Sequence, residues 1–324
     1  MSESIFRNLR SLSFVLPVYN EIESLPSLKE QLSLWMAAHP TFVFQIILID
    51  DGSVDASLDF LKRWAATDNR LHIISFSRNF GHQAAVTAGL EHAQGDAVVI
   101  MDADLQDPLY VVDQMILKYQ QGFDLIYGKR TSRQGETAFK KMTAWCYYRL
   151  LRSLHTDLPV DAGDFRLVSR ACVQALNNLP EKNRFVRGLF AWVGFAQTFV
   201  EYERDSRKYG ETKYPFSKML RFAWTGITSF SIIPIRLVSL LGFFSALLSM
   251  LYLFYALYEY SVGKTITGWT TIVILQTFLG GSILLAIGVV GEYNEKIYEE
   301  VKCRPVYIKK LEITHSHFKS DIEP

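Results

Sequence analysis

Acidic and amide side chains directly follow an apolar run at 97–101, in the order Asp102-Ala-Asp104-Leu-Gln106-Asp107. Carboxylates two positions apart at the end of a strand can both point into one crevice, because a turn breaks the strict alternation of side chains. Hard oxygen ligands of this kind suit Mg²⁺ or Mn²⁺, and Mg²⁺ commonly adds substrate phosphates to one or two carboxylates. Acidic surface turns are common, so the position after a buried strand is what favours a metal site. When a diphosphate departs in a reaction, negative charge builds up on it, and a cation held at this site would neutralise that charge.

Two further polar segments follow apolar runs, at 17–21 (PVYNE) and at 50–53 (DDGS). Tyr19 offers a ring on which a nucleobase could stack, and Glu21 could accept hydrogen bonds from ribose hydroxyls. A carboxylate at 50–53 could accept from a base N–H, while Gly52 allows a tight turn. The alternative for both segments is ordinary turn chemistry and capping of the following helix, with Asp55 as the N-cap.

An alternation of short apolar runs and helical patterns places these segments at strand ends. It extends over residues 1–200 and predicts strands at 12–18, 45–49, 72–76, 97–101 and 124–127, with helices at 25–38, 56–66 and 83–93. Continuously apolar strands that alternate with helices indicate an α/β fold with a mostly parallel sheet covered on both faces. Ligands of such sheets bind outside the carboxyl ends of the strands. The polar segments therefore predict one binding crevice.

The last third of the chain has a different character. Residues 237–258 and 268–291 form uncharged runs of 22 and 24 residues, which as helices would each span roughly 33–36 Å, enough for a hydrocarbon core of about 30 Å. A pair of buried core helices is the alternative. Basic residues flank the pair, which by the positive-inside rule predicts a multi-pass inner-membrane protein with its catalytic domain and both termini in the cytoplasm. The predicted boundaries are a catalytic domain at 1–215, an interfacial helix at 216–231, a transmembrane hairpin at 232–292 and a cytosolic tail at 293–324, with a second interfacial candidate at 138–154.

Composition excludes several other classes. The 34 Lys and Arg residues nearly balance the 33 Asp and Glu residues, so net charge gives no reason to expect a nucleic-acid partner. The three cysteines, Cys146, Cys172 and Cys303, are far apart and form no C-x-x-C pair, which favours free thiols in a reducing compartment. His82 and Cys172 have no partner at the spacing of a Cys/His nucleophile, and both are interpreted as structural. The N-terminus lacks the apolar core of a signal peptide, so we expect the first domain in the cytosol.

Eight segments together resemble the family 2 glycosyltransferases of GT-A fold, and within them the polyprenyl-phosphate glycosyltransferases, which include dolichol-phosphate mannose synthase and bacterial undecaprenyl-phosphate glucosyltransferases. The resemblance covers nearly the whole chain. It is carried by FVLPVYNE (14–21), LIDDGSVD (48–55), SRNFGHQAAVTAGL (77–90), MDADLQDP (101–108), YGKR (127–130), DAGDFRLVSR (161–170), RKYGETKY (207–214) and GEYNEKIYEEVKCRPVY (291–307).

The resemblance implies roles for individual residues. The implied metal ligands are Asp102, Asp104 and Gln106. The implied nucleotide contacts are Pro17, Tyr19, Glu21, Asp50, Asp51, Arg78 and Asp102. The implied catalytic and acceptor-side residues are Asp161, Asp164, Arg166 and Arg130, with Asp157 as a further carboxylate. The implied binders of the acceptor phosphate are Arg130, Arg207, Lys208 and Lys213.

The implied reaction moves glucose from UDP-glucose to undecaprenyl phosphate, with Mg²⁺ or Mn²⁺ as cofactor and with inversion at the anomeric carbon. A phosphate monoester has a second pKa of about 6 and so needs no general base near neutral pH, but two anionic substrates must approach each other, which explains a basic cluster at 204–221. The alternatives are a GDP-mannose or aminoarabinose donor, a processive polysaccharide synthase and an inactive scaffold. No Q-x-x-R-W motif of a processive synthase is present. Membrane lipids and a homo-oligomer, with a tetramer as one option, complete the implied partners.

Overall fold

The computed structural model describes residues 7–130, 162–182, 184–203, 233–262 and 268–314. The chain divides into two compact units. The first unit combines Met1–Pro215 with Pro305–Pro324, and the second is Phe216–Arg304. The predicted interfacial helices at 138–154 and 216–231 lie outside the described residues.

A mixed sheet of eight described strands organises the first unit. Its strands are β1 Ser11–Val18, β2 Val43–Asp50, β3 Leu71–Phe76, β4 Ala97–Ile100, β5 Leu125–Arg130, β6 Ala162–Ser169, β7 Gln197–Tyr202 and β8 Lys309–Thr314. The helices of this unit are α1 Leu25–Ala37, α2 Ser57–Ala65, α3 His82–His92, α4 Tyr110–Gln120, α5 Arg170–Asn177 and α6 Val186–Trp192. All five predicted strands and all three predicted helices are present, with ends that differ by a few residues.

The strand order is β7-β5-β6-β4-β1-β2-β3-β8. Strands β4, β1, β2 and β3 pair in parallel, whereas β6 runs antiparallel between β4 and β5, and β8 runs antiparallel to β3. The prediction of a mostly parallel α/β sheet is therefore confirmed. Because the chain leaves β1 toward β2 on one side and returns to β4 on the other, the strand order reverses between β1 and β4. A ligand crevice is expected outside the carboxyl ends of the strands at such a point.

The core explains why the central strands are continuously apolar. Phe14 on β1 is fully buried and packs edge-to-face on Trp35 of α1, with ring centroids 5.6 Å apart. On the other face, α3 is rich in small buried residues and packs against β1 and β2. A Cβ added to Gly89 would lie 2.2 Å from Cγ1 of Val15. The close packing of α3 on the sheet therefore requires the absence of a side chain at this position.

The described part of the second unit consists of two helices, α7 Ile233–Ser261 and α8 Trp269–Val301. The two uncharged runs at 237–258 and 268–291 are thus helical. Crossing a bilayer requires about 20 predominantly apolar residues in one helix, and no helix among the described residues satisfies both the length and the apolarity for it. The structure accordingly does not support the predicted transmembrane hairpin or the multi-pass placement.

The C-terminal segment joins the sheet of the first unit, a feature that the sequence analysis does not predict. β8 pairs with β3 from Thr314 opposite His72 to Lys309 opposite Phe76. Just before it, the backbone N–H of Ser77 donates to the carbonyl of Ile308, and the ring of Tyr307 stacks on Phe76 at 4.7 Å between centroids. β8 thereby covers the edge of β3, which would otherwise present unpaired backbone groups.

Candidate active site

The turn after β2 is built around two buried carboxylates. Asp50 accepts from the backbone N–H of Ser53 (3.1 Å) and from the hydroxyl of Ser75 (2.7 Å). Asp51 accepts from the backbone N–H groups of Phe80 (2.7 Å) and Gly81 (3.0 Å). Burial raises the pKa of Asp51, although these amide hydrogen bonds act in the opposite direction. Both carboxylates thus bind protein groups and shape the turns, and their contact with a nucleotide stays a prediction.

Gly52 brings the β2 turn against the loop before α3. Its φ of +71° is in the left-handed region, and a Cβ there would lie 2.5 Å from the carbonyl carbon of Arg78. Only glycine satisfies both constraints. The exposed side chain of Arg78 donates to the carbonyl of Asn79 and lies over the ring of Phe80, with its central carbon 4.1 Å from the centroid. Its predicted nucleotide contact is untested.

The turn after β1 lies beside the turn after β2. Asn20, at a φ of +56°, donates its backbone N–H to the hydroxyl of Ser53 and accepts from the N–H of Val54 through its side chain. Glu21 accepts from the hydroxyl of Ser24 at 2.8 Å. Tyr19 is 46% exposed, which leaves its ring accessible to a base. Pro17 lies in β1 beside Ile49 of β2. The structure brings these predicted nucleotide-binding residues to one edge of the sheet.

The D-x-D segment forms a turn after β4. Leu105 has a φ of +59°, and Asp104 accepts from the backbone N–H of Gln106 at 3.2 Å. Burial raises the pKa of Asp102 to about 6, and its acidic neighbours contribute to the rise. Burial and the neighbouring carboxylates thus disfavour the charged form of Asp102, and a bound cation would stabilise it. The donor set of Asp102 and Asp104 therefore fits Mg²⁺ or Mn²⁺ together with a diphosphate.

The end of the D-x-D segment is fixed to β7. Asp107 accepts from the hydroxyl of Tyr202 at 2.6 Å, and both side chains are buried. Gln106 is also buried, with 5% exposure. This anchor restrains the turn that carries Asp102 and Asp104, although β7 lies three strands from β4 in the sheet.

Asp164 on β6 faces the same crevice and forms a bidentate ion pair. Arg187 on α6 donates to its two carboxylate oxygens, with N–O distances of 2.7 and 2.5 Å. The Nε2 atom of His82, at the start of α3, lies 3.3 Å from Asp164 and 4.0 Å from Asp102. Burial opposes ionisation of Asp164, but Arg187 and His82 outweigh it and hold the pKa of Asp164 well below its ordinary value. His82 therefore connects the β4 and β6 sides of the crevice.

Arg166, predicted as a catalytic residue, makes its hydrogen bonds to the backbone of its own strand. It is buried, donates to the carbonyl groups of Gly163 (2.7 Å) and Asp164 (3.3 Å), and packs on the ring of Phe190. Burial lowers the pKa of Arg166 to about 10. These contacts favour a positioning role, in which Arg166 holds the backbone of the β6 segment that carries Asp164.

Sequence reasoning missed two residues of this crevice. Arg187 has no motif of its own. His82 directly follows the Asn79-Phe-Gly81 turn, and this position at the start of a helix behind a predicted nucleotide loop is the signal that could have identified it. The interpretation of His82 as purely structural does not match its place between Asp102 and Asp164. Cys172, by contrast, is a buried thiol whose pKa burial raises to about 12, as expected of a structural residue.

Several predicted residues lie outside the described part of the chain. They are Asp157, Asp161, Arg207, Lys208 and Lys213. Arg130 ends β5, where its backbone pairs with Tyr202 of β7, and its side chain is likewise outside the described part. Their roles at the acceptor phosphate stay predictions.

Known proteins resemble this chain in sequence and in fold. The uncharacterized glycosyltransferase YkcC of Bacillus subtilis (strain 168) is 46% identical over 302 residues, which cover 91% of this chain and 92% of that protein. The bactoprenol glucosyl transferase of Shigella phage SfII is 40% identical over 301 residues, covering 92% and 97%. Glucosyl-3-phosphoglycerate synthase from Mycobacterium tuberculosis, solved with Mn²⁺, UDP and phosphoglyceric acid, shares the fold at a TM-score of 0.50 and 20% identity, over 68% of this chain and 78% of that one.

The sequence pattern of the family described as Glycosyl transferase family 2 matches residues 13–176, the range that contains all the crevice residues described above except Arg187 and Tyr202. With that match and relatives at 40–46% identity along most of the chain, the protein belongs to glycosyl transferase family 2.

Proposed function

We propose that this enzyme transfers glucose from UDP-glucose to the phosphate of a polyprenyl lipid, undecaprenyl phosphate. The observation that carries the proposal is the crevice in which His82 lies between Asp102, at the end of β4, and Asp164 on β6, in a chain 40% identical to a bactoprenol glucosyl transferase. The carboxylates account for a nucleotide-diphosphate donor, and the relative supports both the sugar and the class of acceptor.

The donor would bind across the carboxyl ends of β1, β2 and β4. Tyr19 and Glu21 are accessible to the base and ribose there. Asp102 and Asp104, with Gln106, would hold Mg²⁺ or Mn²⁺, whose charge would stabilise the departing diphosphate. The protein itself contributes a fixed crevice, because Asp51 anchors the loop before α3 and Asp107 anchors the turn after β4.

The acceptor would attack through a phosphate oxygen, so the anomeric carbon inverts in one displacement. No proton must leave this nucleophile, since a phosphate monoester with a second pKa of about 6 is mostly dianionic at neutral pH. Asp164 is held ionised by Arg187 and His82, which suits electrostatic positioning better than general-base catalysis.

The second unit supports a lipid environment. Large apolar side chains are exposed along both helices, including Leu240, Phe243, Phe244 and Leu251 on α7 and Ile283, Leu284 and Ile287 on α8. Covering each such side chain would contribute about 1.5–3 kcal/mol. The acyl chains of a lipid bilayer would cover these side chains, and a bilayer is also where the polyprenyl chain of the acceptor resides. We therefore include association with the cytoplasmic membrane in the proposal, and flotation of the purified chain with anionic lipid vesicles tests it.

A donor panel tests the proposed reaction. Purified full-length enzyme in detergent, with Mn²⁺ or Mg²⁺ and undecaprenyl phosphate, is incubated with radiolabelled UDP-glucose, GDP-mannose or UDP-aminoarabinose, and label in the lipid phase is counted. We expect label from UDP-glucose. Lipid labelled only by GDP-mannose or by the aminoarabinose donor would refute the glucose assignment, and label only in water-soluble products would refute the lipid acceptor.

Matched variants separate the site from general effects of charge. Asp104→Asn should abolish transfer while leaving the fold intact, because Asp104 is only half buried and asparagine keeps the size of the side chain and an oxygen that can accept from the N–H of Gln106. Asp59→Asn makes the same chemical change on the exposed face of α2 and should retain activity. Full activity of Asp104→Asn, or activity of wild type in excess chelator, would contradict the metal-assisted reaction.

We also propose that the enzyme is a homo-oligomer. Light scattering of the detergent-solubilised enzyme measures the number of subunits.

A further inference from the structure

A cluster of two histidines and a glutamate lies at the edge of the sheet, away from the D-x-D crevice. His72 comes from β3, His92 is the last residue of α3, and Glu312 comes from β8. One ligand atom from each lies within 4.8 Å of the others. The cluster is at the opposite end of α3 from His82, and ten residues of helix correspond to about 15 Å. It is therefore separate from the proposed catalytic metal site.

The hydrogen bonds of the cluster fix the roles of its nitrogen atoms. Nδ1 of His92 lies 2.7 Å from the carbonyl of Ala88, which can only accept, so the proton is on Nδ1. Nε2 of a neutral His92 then presents a lone pair toward Oε1 of Glu312 at 3.6 Å. Two acceptors that face each other repel, unless a cation lies between them or the imidazole carries a second proton. The same carboxylate oxygen is 2.9 Å from Nε2 of His72.

The surroundings prepare the three groups as ligands. Burial lowers the pKa of His72, which favours the neutral imidazole that metals require. Lys309 donates to Oε2 of Glu312 at 2.7 Å, holding the carboxylate ionised with Oε1 directed at the imidazoles. The carbonyl of Ala88 orients His92 in the way that outer hydrogen bonds commonly orient metal-bound histidines.

We propose that His72, His92 and Glu312 bind a divalent transition metal of the Zn²⁺ class, which ties the C-terminal strand β8 to β3 and α3. Two imidazoles and one carboxylate form a common zinc donor set, with water as the fourth ligand. Mg²⁺ and Ca²⁺ prefer all-oxygen sites, so the cluster discriminates against them. The metal would strengthen the pairing of β8 with β3, because its ligands come from three elements that meet only when β8 is paired.

Zinc titration of the full chain tests the proposal. The enzyme in detergent is stripped with chelator, supplied with excess Mg²⁺ to occupy the oxygen-rich catalytic site, and titrated with Zn²⁺ against a chromophoric competitor. We expect wild type to bind one equivalent more than His92→Gln or Glu312→Gln. His39→Gln alters a histidine outside the cluster, near Asp113, and should bind as wild type does. Co²⁺ in place of Zn²⁺ should give wild type, and neither cluster variant, the visible absorption of a tetrahedral site.

Hydrogen exchange of β8 gives a second readout that does not depend on activity. Zn²⁺ should slow exchange of the amides at 309–314 at least tenfold in wild type and leave it unchanged in His92→Gln. Circular dichroism and sugar transfer with Mn²⁺ establish that the variants are folded. Equal zinc stoichiometry in wild type and both cluster variants would overturn the proposal. Protection of β8 that follows pH and ignores Zn²⁺ would overturn it as well, because a proton on His92 would then bridge the pair.

Discussion

Replacing Arg187 with glutamine tests whether the ion pair with Asp164 supports the crevice. Arg187 holds both oxygens of Asp164, at 2.7 and 2.5 Å, and the side chain of Asp164 is only 16% exposed. Glutamine retains a polar side chain but loses the charge and the paired donors. Asp164 would then keep His82, at 3.3 Å, and the more distant Arg166, at 3.9 Å, while Asp102 adds negative charge to the same crevice.

The expected loss of stability is smaller than that of a fully buried ion pair. Breaking a fully buried ion pair costs about 3–5 kcal/mol, but the side chain of Arg187 is 35% exposed, so solvent screens part of the interaction. The remaining contacts of Asp164 with His82 and Arg166 reduce the cost further. We expect about 2–3 kcal/mol, equivalent to a fall in Tm of roughly 4–12 °C for a unit of this size. Sugar transfer should fall too, because Asp164 is no longer held in place.

The pH dependence of this loss has a defined sign. In the wild type, Arg187 and His82 outweigh burial and hold the folded-state pKa of Asp164 well below its ordinary value. A lowered carboxyl pKa contributes stability that is present above the unfolded-state pKa, near 3.9, and that is lost as the pH falls through the folded-state pKa. The difference in Tm between wild type and Arg187→Gln should therefore be largest and nearly constant above about pH 5, and it should narrow as the pH falls below about 4. Circular dichroism melts in chelator measure it.

Arg70 provides the matched control. It also binds an aspartate with two nitrogens, reaching Asp68 at 2.8 and 2.7 Å, and the pair is about as exposed as the Arg187 pair, at 41% for Arg70 and 13% for Asp68. The two residues are neighbours in the chain and lie outside the crevice, so Arg70→Gln should leave sugar transfer unchanged. Equal losses of sugar transfer in the two variants, or a Tm difference between wild type and Arg187→Gln that does not vary with pH, would refute the reasoning about the Arg187 pair.

Three further outcomes follow from local geometry. Gly52→Ala should lower Tm and raise the KM for the donor. Position 52 has a φ of +71°, and the new Cβ would lie 2.5 Å from the backbone carbonyl carbon of Arg78. An unchanged KM would show that this turn does not contribute to donor binding. Gly89→Ala should cost about 1–3 kcal/mol by overpacking α3 on β1, measured by denaturant unfolding, and a neutral result would mean that the helix shifts freely. In a variant with Cys146 replaced by serine, maleimide should label the exposed Cys303 in the native enzyme. It should label Cys172 only after unfolding, because that thiol is buried and its pKa is raised to about 12. Labelling of Cys172 in the native enzyme would contradict its burial.

The elements that sequence reasoning predicted are those with a strong local signal. β1 and β3 are buried on both faces, so their residues form unbroken apolar runs. β8 carries none of that signal. Its sequence KKLEIT is charged and half exposed, and it becomes a strand because it pairs with β3, more than 230 residues earlier in the chain. An edge strand of this kind depends on its partner, and no local pattern indicates it.

The sequence by itself determined the α/β architecture and the position of the D-x-D segment, because apolar periodicity and the order of turns are local properties. Only the tertiary structure decided that His82 and Arg187 meet Asp164, and that His72 and His92 meet Glu312. Those contacts join residues from different elements, and their distances depend on strand order, register and the packing of α3. Side chains far apart in sequence become neighbours through the sheet, whose order the local pattern does not encode.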